Sequence, residues 1–171
     1  ALVITPTREL AAQIVADLND IAVHTPITGA AVFGGVGMGP QEHAFRTGVD
    51  VMVATPGRLL DHFRARYATL SSLEYLVLDE ADRMLDMGFL PDIRRVLKHI
   101  PAKRQTLFFS ATMPPPIALL TRDMLLAMVR TALYSPATAS ALPAALDEAA
   151  GGRLAPLVGL SSALGAPRGG A

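Results

Sequence analysis

An α/β fold built on a doubly wound parallel sheet is predicted by three features of this 171-residue chain. Five short runs are apolar throughout instead of alternating, as strands covered on both faces are. Amphipathic segments of helical period separate them. Each run is followed at once by a polar or glycine-rich cluster, which places every cluster on the carboxyl edge of one sheet, where ligands of such sheets bind.

The first run, Leu2 to Thr5, leads into "PTRE". Leu10, Ile14, Leu18 and Ile21 then recur at spacings of three or four, predicting one buried helix face. The second run, Ala30 to Phe33, ends at Gly34 and Gly35. Val51 to Ala54 meets "TPGR", where Thr55 suits an N-cap and Pro56 the first helical position. Tyr75 to Leu78 runs straight into Asp79, Glu80 and Asp82, and Met84, Leu85, Met87 and Phe89 are expected to pack in the core after that turn. Pro91 stands where a helix can start, with Ile93, Val96, Leu97 and Ile100 as its buried face. Thr106 to Phe109 ends in "SAT". From about residue 127 the chain turns rich in Ala, Gly, Pro and Ser, which predicts a poorly ordered tail over 127–171 with a short helix near Ala141 to Ala149.

Composition excludes several chemistries. With no cysteine, disulfides, thiolate catalysis and Cys-type zinc sites are ruled out, and a reducing, cytoplasmic setting is expected. Fifteen basic and fifteen acidic residues balance, so net charge alone says nothing for nucleic acid and does not exclude a local basic stripe. His24, His43, His62 and His99 show no metal-ligand spacing, and "GGVGMG" fails the G-x-G-x-x-G register. The opening "ALVITPTREL" has neither an initiating Met nor the parts of a signal peptide, which suggests a chain cut from something longer.

An apolar strand ending in Asp-Glu puts one carboxylate where it can hold magnesium and the next where it can orient or deprotonate a water. A solvated turn would look the same in isolation. Asp82, on the far side of the turn, can reach a neighbouring loop. "TPGR" and "PTRE" each combine a helix start with an arginine, Arg58 and Arg8, which is a phosphate-site chemistry beyond good capping.

In chain order, "PTRELA", Gly34-Gly35, "TPGR", "DEAD" and "SAT" resemble motifs Ia, Gly-Gly, Ib, II and III of the DEAD-box RNA helicases, over residues 1 to about 126. "VFGGVGMGPQ" and "LDEADRMLDMGF" resemble the bacterial RhlE-type branch. The resemblance implies a RecA-like P-loop NTPase domain that uses ATP and Mg2+. Asp79 would hold Mg2+ through water, and Glu80 would act on the attacking water. Asp82 would bond to the Ser110-Ala111-Thr112 segment, linking nucleotide state to RNA grip. Pro6, Thr7, Arg8, Glu9, Gly34, Gly35, Thr55, Pro56, Gly57 and Arg58 would line the RNA sugar-phosphate backbone without reading sequence.

The phosphate cradle G-x-x-x-x-G-K-[ST] does not occur in these residues, and neither Lys98 nor Lys103 follows a glycine. The resemblance places that cradle upstream, and a second RecA-like domain downstream, in a longer parent. The chain is therefore expected to be a helicase fragment inactive by itself, or else a non-enzymatic RNA-binding remnant. The resemblance also suggests that the strand feeding the cradle lies between those ending in "DEAD" and "SAT", so that its loss would leave the chain loosely packed.

Overall fold

A computed structural model describes residues 1–133 of the chain. Residues 1–101 and 106–117 form one compact unit, and the described residues of a second are 102–105 and 118–133. All the site residues lie in the first.

Five strands make one sheet: β1 (Leu2–Ile4), β2 (Gly29–Val32), β3 (Val51–Ala54), β4 (Tyr75–Leu78) and β5 (Gln105–Phe108), in the order β2-β3-β1-β4-β5. The pairs β2–β3, β3–β1 and β1–β4 are parallel, with Ile4 level with Ala54 on one side and Leu78 on the other. Such a sheet must be covered on both faces, and Leu2, Ile4, Val53, Leu76 and Leu78 are fully buried. Each buried Leu or Ile side chain contributes about 1.5–3 kcal/mol of transfer free energy.

The helices follow the predicted alternation: α1 (Arg8–Ala22), α2 (Met38–Thr47), α3 (Pro56–Phe63), α4 (Ala81–Asp86), α5 (Leu90–Leu97) and α6 (Pro115–Leu133). Helix α1 packs on β2 and β3, and α3 packs on α5. Gly29 lets α1 come close, since a Cβ there would sit 2.5 Å from the Leu18 side chain. No described helix is long and apolar enough to cross a membrane.

Four expectations need correction or a limit. Ile21 is 81% exposed and does not belong to the buried face of α1. Its neighbour Ala22 is buried, so the last turn of α1 still packs inward and turns Ala22, not Ile21, to the core. Met87 is exposed, while Met84 is buried as expected. The change of composition near residue 127 does not end a helix, because α6, rich in Leu, Ala and Met, continues to Leu133. The expected short helix and disordered tail lie outside the described residues.

The strand neighbouring the acidic turn is also not where the resemblance suggested. β4 and β5 are adjacent, with the Phe109 N–H donating to the Leu78 carbonyl at 2.8 Å and the Ala81 N–H to the Phe109 carbonyl at 3.1 Å. No gap for a further strand separates the two ends. The two motifs they carry therefore touch directly.

Candidate active site

The carboxyl ends of β1, β3 and β4 stand side by side, and the winding of the chain reverses about β1. At the end of β4, the Asp79 N–H donates to the Ile4 carbonyl at 3.0 Å, which anchors the acidic turn to the central strand. Asp79 Oδ1 accepts the Glu80 N–H at 3.0 Å. Glu80 then takes the left-handed conformation, φ 49° and ψ 50°, the one non-glycine residue with positive φ among the described residues. For an L-residue that costs about 1–2 kcal/mol, and such strain collects where a side chain must be aimed for function. Arg83 Nη1 lies 3.2 Å from Glu80 Oε2.

Asp82, in the first turn of α4, reaches the loop after β5. Its Oδ2 accepts the Thr112 N–H at 2.9 Å and the Thr112 hydroxyl at 2.8 Å. Its own N–H donates to Ser110 Oγ at 3.1 Å, and that hydroxyl donates to the Thr112 carbonyl at 2.7 Å. The Thr112 hydroxyl is the main cause that holds the Asp82 carboxyl below its ordinary pKa. Asp79, Glu80, Asp82, Ser110 and Ala111 line an open pocket of about 300 Å³, with Phe109 as an apolar wall.

No cluster of three or more His, Cys, Asp or Glu side chains able to hold a metal occurs among the described residues. Asp79 and Glu80 thus offer two hard oxygen donors at an open pocket and no closed cage. That donor set suits Mg2+, which keeps several waters and takes its remaining ligands from a substrate's phosphates.

A second group of predicted residues lies further along the same edge. Thr7 caps α1, its hydroxyl accepting the Leu10 N–H at 3.3 Å. Arg8 Nε donates to Glu9 Oε1 at 2.7 Å. Gly35 has a φ of +86°, and a Cβ there would meet Arg8 Nη1 at 3.1 Å, so the start of α1 lies against the Gly-Gly loop. From the other side, Arg58 of α3 donates Nη2 to the Val36 carbonyl and Nε to Gln41 Oε1, the latter at 3.3 Å. Thr55 holds the N-cap position of α3 but makes no capping bond with its side chain. Gly34 is exposed and Gly57 half-buried, whereas Pro6 and Pro56 are buried and shape the turns that carry them.

The sequence of the DEAD/DEAH box helicase family matches residues 1–120. The chain belongs to that family. Among curated relatives, the DEAD-box ATP-dependent RNA helicase 40 of Oryza sativa subsp. japonica is 46% identical over 134 residues, which is 78% of this chain and 17% of that protein. The ATP-dependent RNA helicase CshA of Listeria monocytogenes is 49% identical over 117 residues, 68% of this chain and 22% of the relative. A crystal structure of a hypothetical ATP-dependent RNA helicase from Sulfolobus tokodaii superposes with a TM-score of 0.67 at 41% identity, covering 72% of this chain and 37% of that one. The chain thus spans about a fifth of the length of these curated relatives. In this DEAD-box chain the signature tetrapeptide is Asp79 to Asp82, on the loop of the strained Glu80.

The sequence singles out neither Gln41 nor, beyond its lack of metal-ligand spacing, His62. Gln41 is 4% exposed and His62 fully buried, and they bond to each other across 21 positions. A glutamine and a histidine that far apart give no local pattern to read.

Proposed function

We propose that this chain is part of the first motor domain of an ATP-dependent RNA helicase that couples RNA-stimulated ATP hydrolysis to duplex unwinding. The observation that carries the reading is the convergence of two arginine-bearing helix starts, Arg8 on Gly35 and Arg58 on Val36, upon one Gly-Gly loop on the same sheet edge as the acidic turn. Guanidinium groups, helix N-termini and a glycine backbone open to close approach suit a sugar-phosphate chain. Such contacts position RNA without reading bases, and its 2′-hydroxyls supply the distinction from DNA. The names of the relatives, each an RNA helicase, support the same substrate class.

In this reading Asp79 would hold Mg2+, which would neutralise nucleotide phosphate charge, and Glu80 would orient the attacking water. The bonds from Asp82 to Ser110 and Thr112 tie the acidic turn to the loop after β5. "VFGGVGMGPQ" and "LDEADRMLDMGF" favour the RhlE-type branch. A phosphate cradle and a second RecA-like domain belong to the longer parent, so these 171 residues alone bind RNA without turning over ATP. Phosphate release from the purified chain, with and without single-stranded RNA, tests this. Background rates are expected in both. RNA-stimulated release that vanishes in Glu80→Gln would overturn the assignment of turnover to the longer protein.

A further inference from the structure

Gln41, in α2, makes four polar contacts from a buried position. Its Nε2 donates to the Phe33 carbonyl at 3.0 Å and to the Gly37 carbonyl at 3.3 Å, on either side of the Gly-Gly loop. Its Oε1 accepts Arg58 Nε–H at 3.3 Å and lies 3.1 Å from His62 Nε2. Carbonyl oxygens only accept, so the two Nε2 partners fix which way round the amide stands. Oε1 likewise only accepts, so His62 must carry its proton on Nε2. His62 Nδ1, 2.9 Å from Tyr67 Oη, then accepts the phenol hydrogen. Burial, and next the charge of Arg58, lower the His62 pKa and so favour this neutral tautomer. Phe45 and Tyr67 pack around the imidazole, with ring centroids 5.0 and 5.9 Å away.

The chain of bonds therefore runs from Tyr67 through His62 and Gln41 to Arg58 and to both sides of the Gly-Gly loop. Among the described residues, two of the five Arg58 N–H groups are engaged, leaving the others for a ligand. We propose that Gln41 is a positioning residue for RNA-backbone binding, locking Arg58 and the Gly-Gly loop into one preset unit. His62 and Tyr67 hold the Gln41 amide in that orientation. A guanidinium held in place loses less freedom when it meets a phosphate, which is how preorganisation raises affinity. The inference rests on the reading of Arg58 as a phosphate contact, and the experiment separates the two.

Binding of a fluorescein-labelled single-stranded oligoribonucleotide to the 171-residue chain is measured by anisotropy at several salt concentrations. Arg58→Ala, Gln41→Leu, Tyr67→Phe and the double variants of the latter two with Arg58→Ala are compared with the parent, each checked for native circular dichroism. Gln41→Leu is expected to weaken binding about three- to tenfold, in line with the loss of a hydrogen bond. It should also lower the slope of log K against log salt by about 0.7, as the loss of one phosphate contact on a single strand does. Against an Arg58→Ala background, Gln41→Leu and Tyr67→Phe should each weaken binding clearly less than in the parent, the remainder being the share of the Gly-Gly loop. A loss from Gln41→Leu that adds in full to that of Arg58→Ala, with an unchanged salt slope, would overturn the positioning role. Should Gln41→Leu fail to fold, Tyr67→Phe decides: its effect must be present in the parent and clearly smaller beside Arg58→Ala. If Arg58→Ala itself leaves affinity and slope unchanged, the phosphate role of Arg58 fails, and this inference with it.

Discussion

Asp82 and Thr112, 30 positions apart, are joined by two hydrogen bonds that converge on one carboxylate oxygen, from the Thr112 N–H at 2.9 Å and its hydroxyl at 2.8 Å. A charged acceptor makes such bonds shorter and stronger than neutral ones. The pair fastens the start of α4 to the loop that follows β5, so the acidic turn and the Ser-Ala-Thr segment move together.

The pH dependence of this contact has a definite sign. The carboxyl of Asp82 has its folded pKa lowered, chiefly by the Thr112 hydroxyl. Its stabilisation is therefore complete above the unfolded value of about 3.9 and is lost as pH falls from there through the folded value. Acid unfolding followed by circular dichroism should show a shallower acid limb in Asp82→Asn than in the parent. Thr112→Val, which spares the backbone bond, should fall between them. An acid limb identical in all three would show the contact to be energetically idle.

His62 acts in a higher pH window. Its folded pKa is lowered by burial and by Arg58, against smaller opposing effects of Asp61 and Glu42. Folding thus favours the neutral imidazole. Its stabilisation is complete above about 6.5 and declines as pH drops from there toward the folded pKa. Thermal midpoints measured across that range should fall with acidity in the parent, and the fall should be reduced in His62→Gln. A steeper fall in the variant would contradict the neutral network through Gln41.

Glu80 pays in stability for its left-handed backbone. Asparagine tolerates that conformation better, so Glu80→Asn should stabilise the chain by up to about 1 kcal/mol in denaturant unfolding. A clear loss of stability would mean that the Arg83 contact at 3.2 Å outweighs the strain.

If the proposed function holds, Glu80→Gln in the longer parent should keep ATP binding and slow hydrolysis by about 10²–10⁴-fold, the usual contribution of a general base. Asp79→Ala should instead weaken binding of the Mg2+ form of the nucleotide. Single-turnover hydrolysis and nucleotide titration distinguish the two. Parent-like turnover in both variants would make the acidic turn purely structural.

Much of the architecture was legible locally. An apolar run such as Leu76 to Leu78 declares a strand covered on both faces, and Thr7, Pro56 and Pro91 declare helix starts through chemistry confined to one turn. Strand ends moved by one residue where a longer contact intervened, as at Phe33, whose carbonyl serves the Gln41 amide instead of continuing β2. The motifs along one edge were likewise expected from the chain alone, whereas the Asp82 bonds to Ser110 and Thr112 were expected from the family resemblance. Tertiary structure decided the rest. It set β5 directly against β4, turned Ala22 in place of Ile21 to the core, twisted Glu80 into a left-handed turn and gathered Gln41, Arg58, His62 and Tyr67 around one amide. Each of these depends on groups that meet only after distant segments pack. Strand neighbours are chosen by which backbone N–H and carbonyl groups find partners across the sheet, and buried amides by which polar atoms would otherwise go unpaired. Neither choice leaves a mark in any short window of residues.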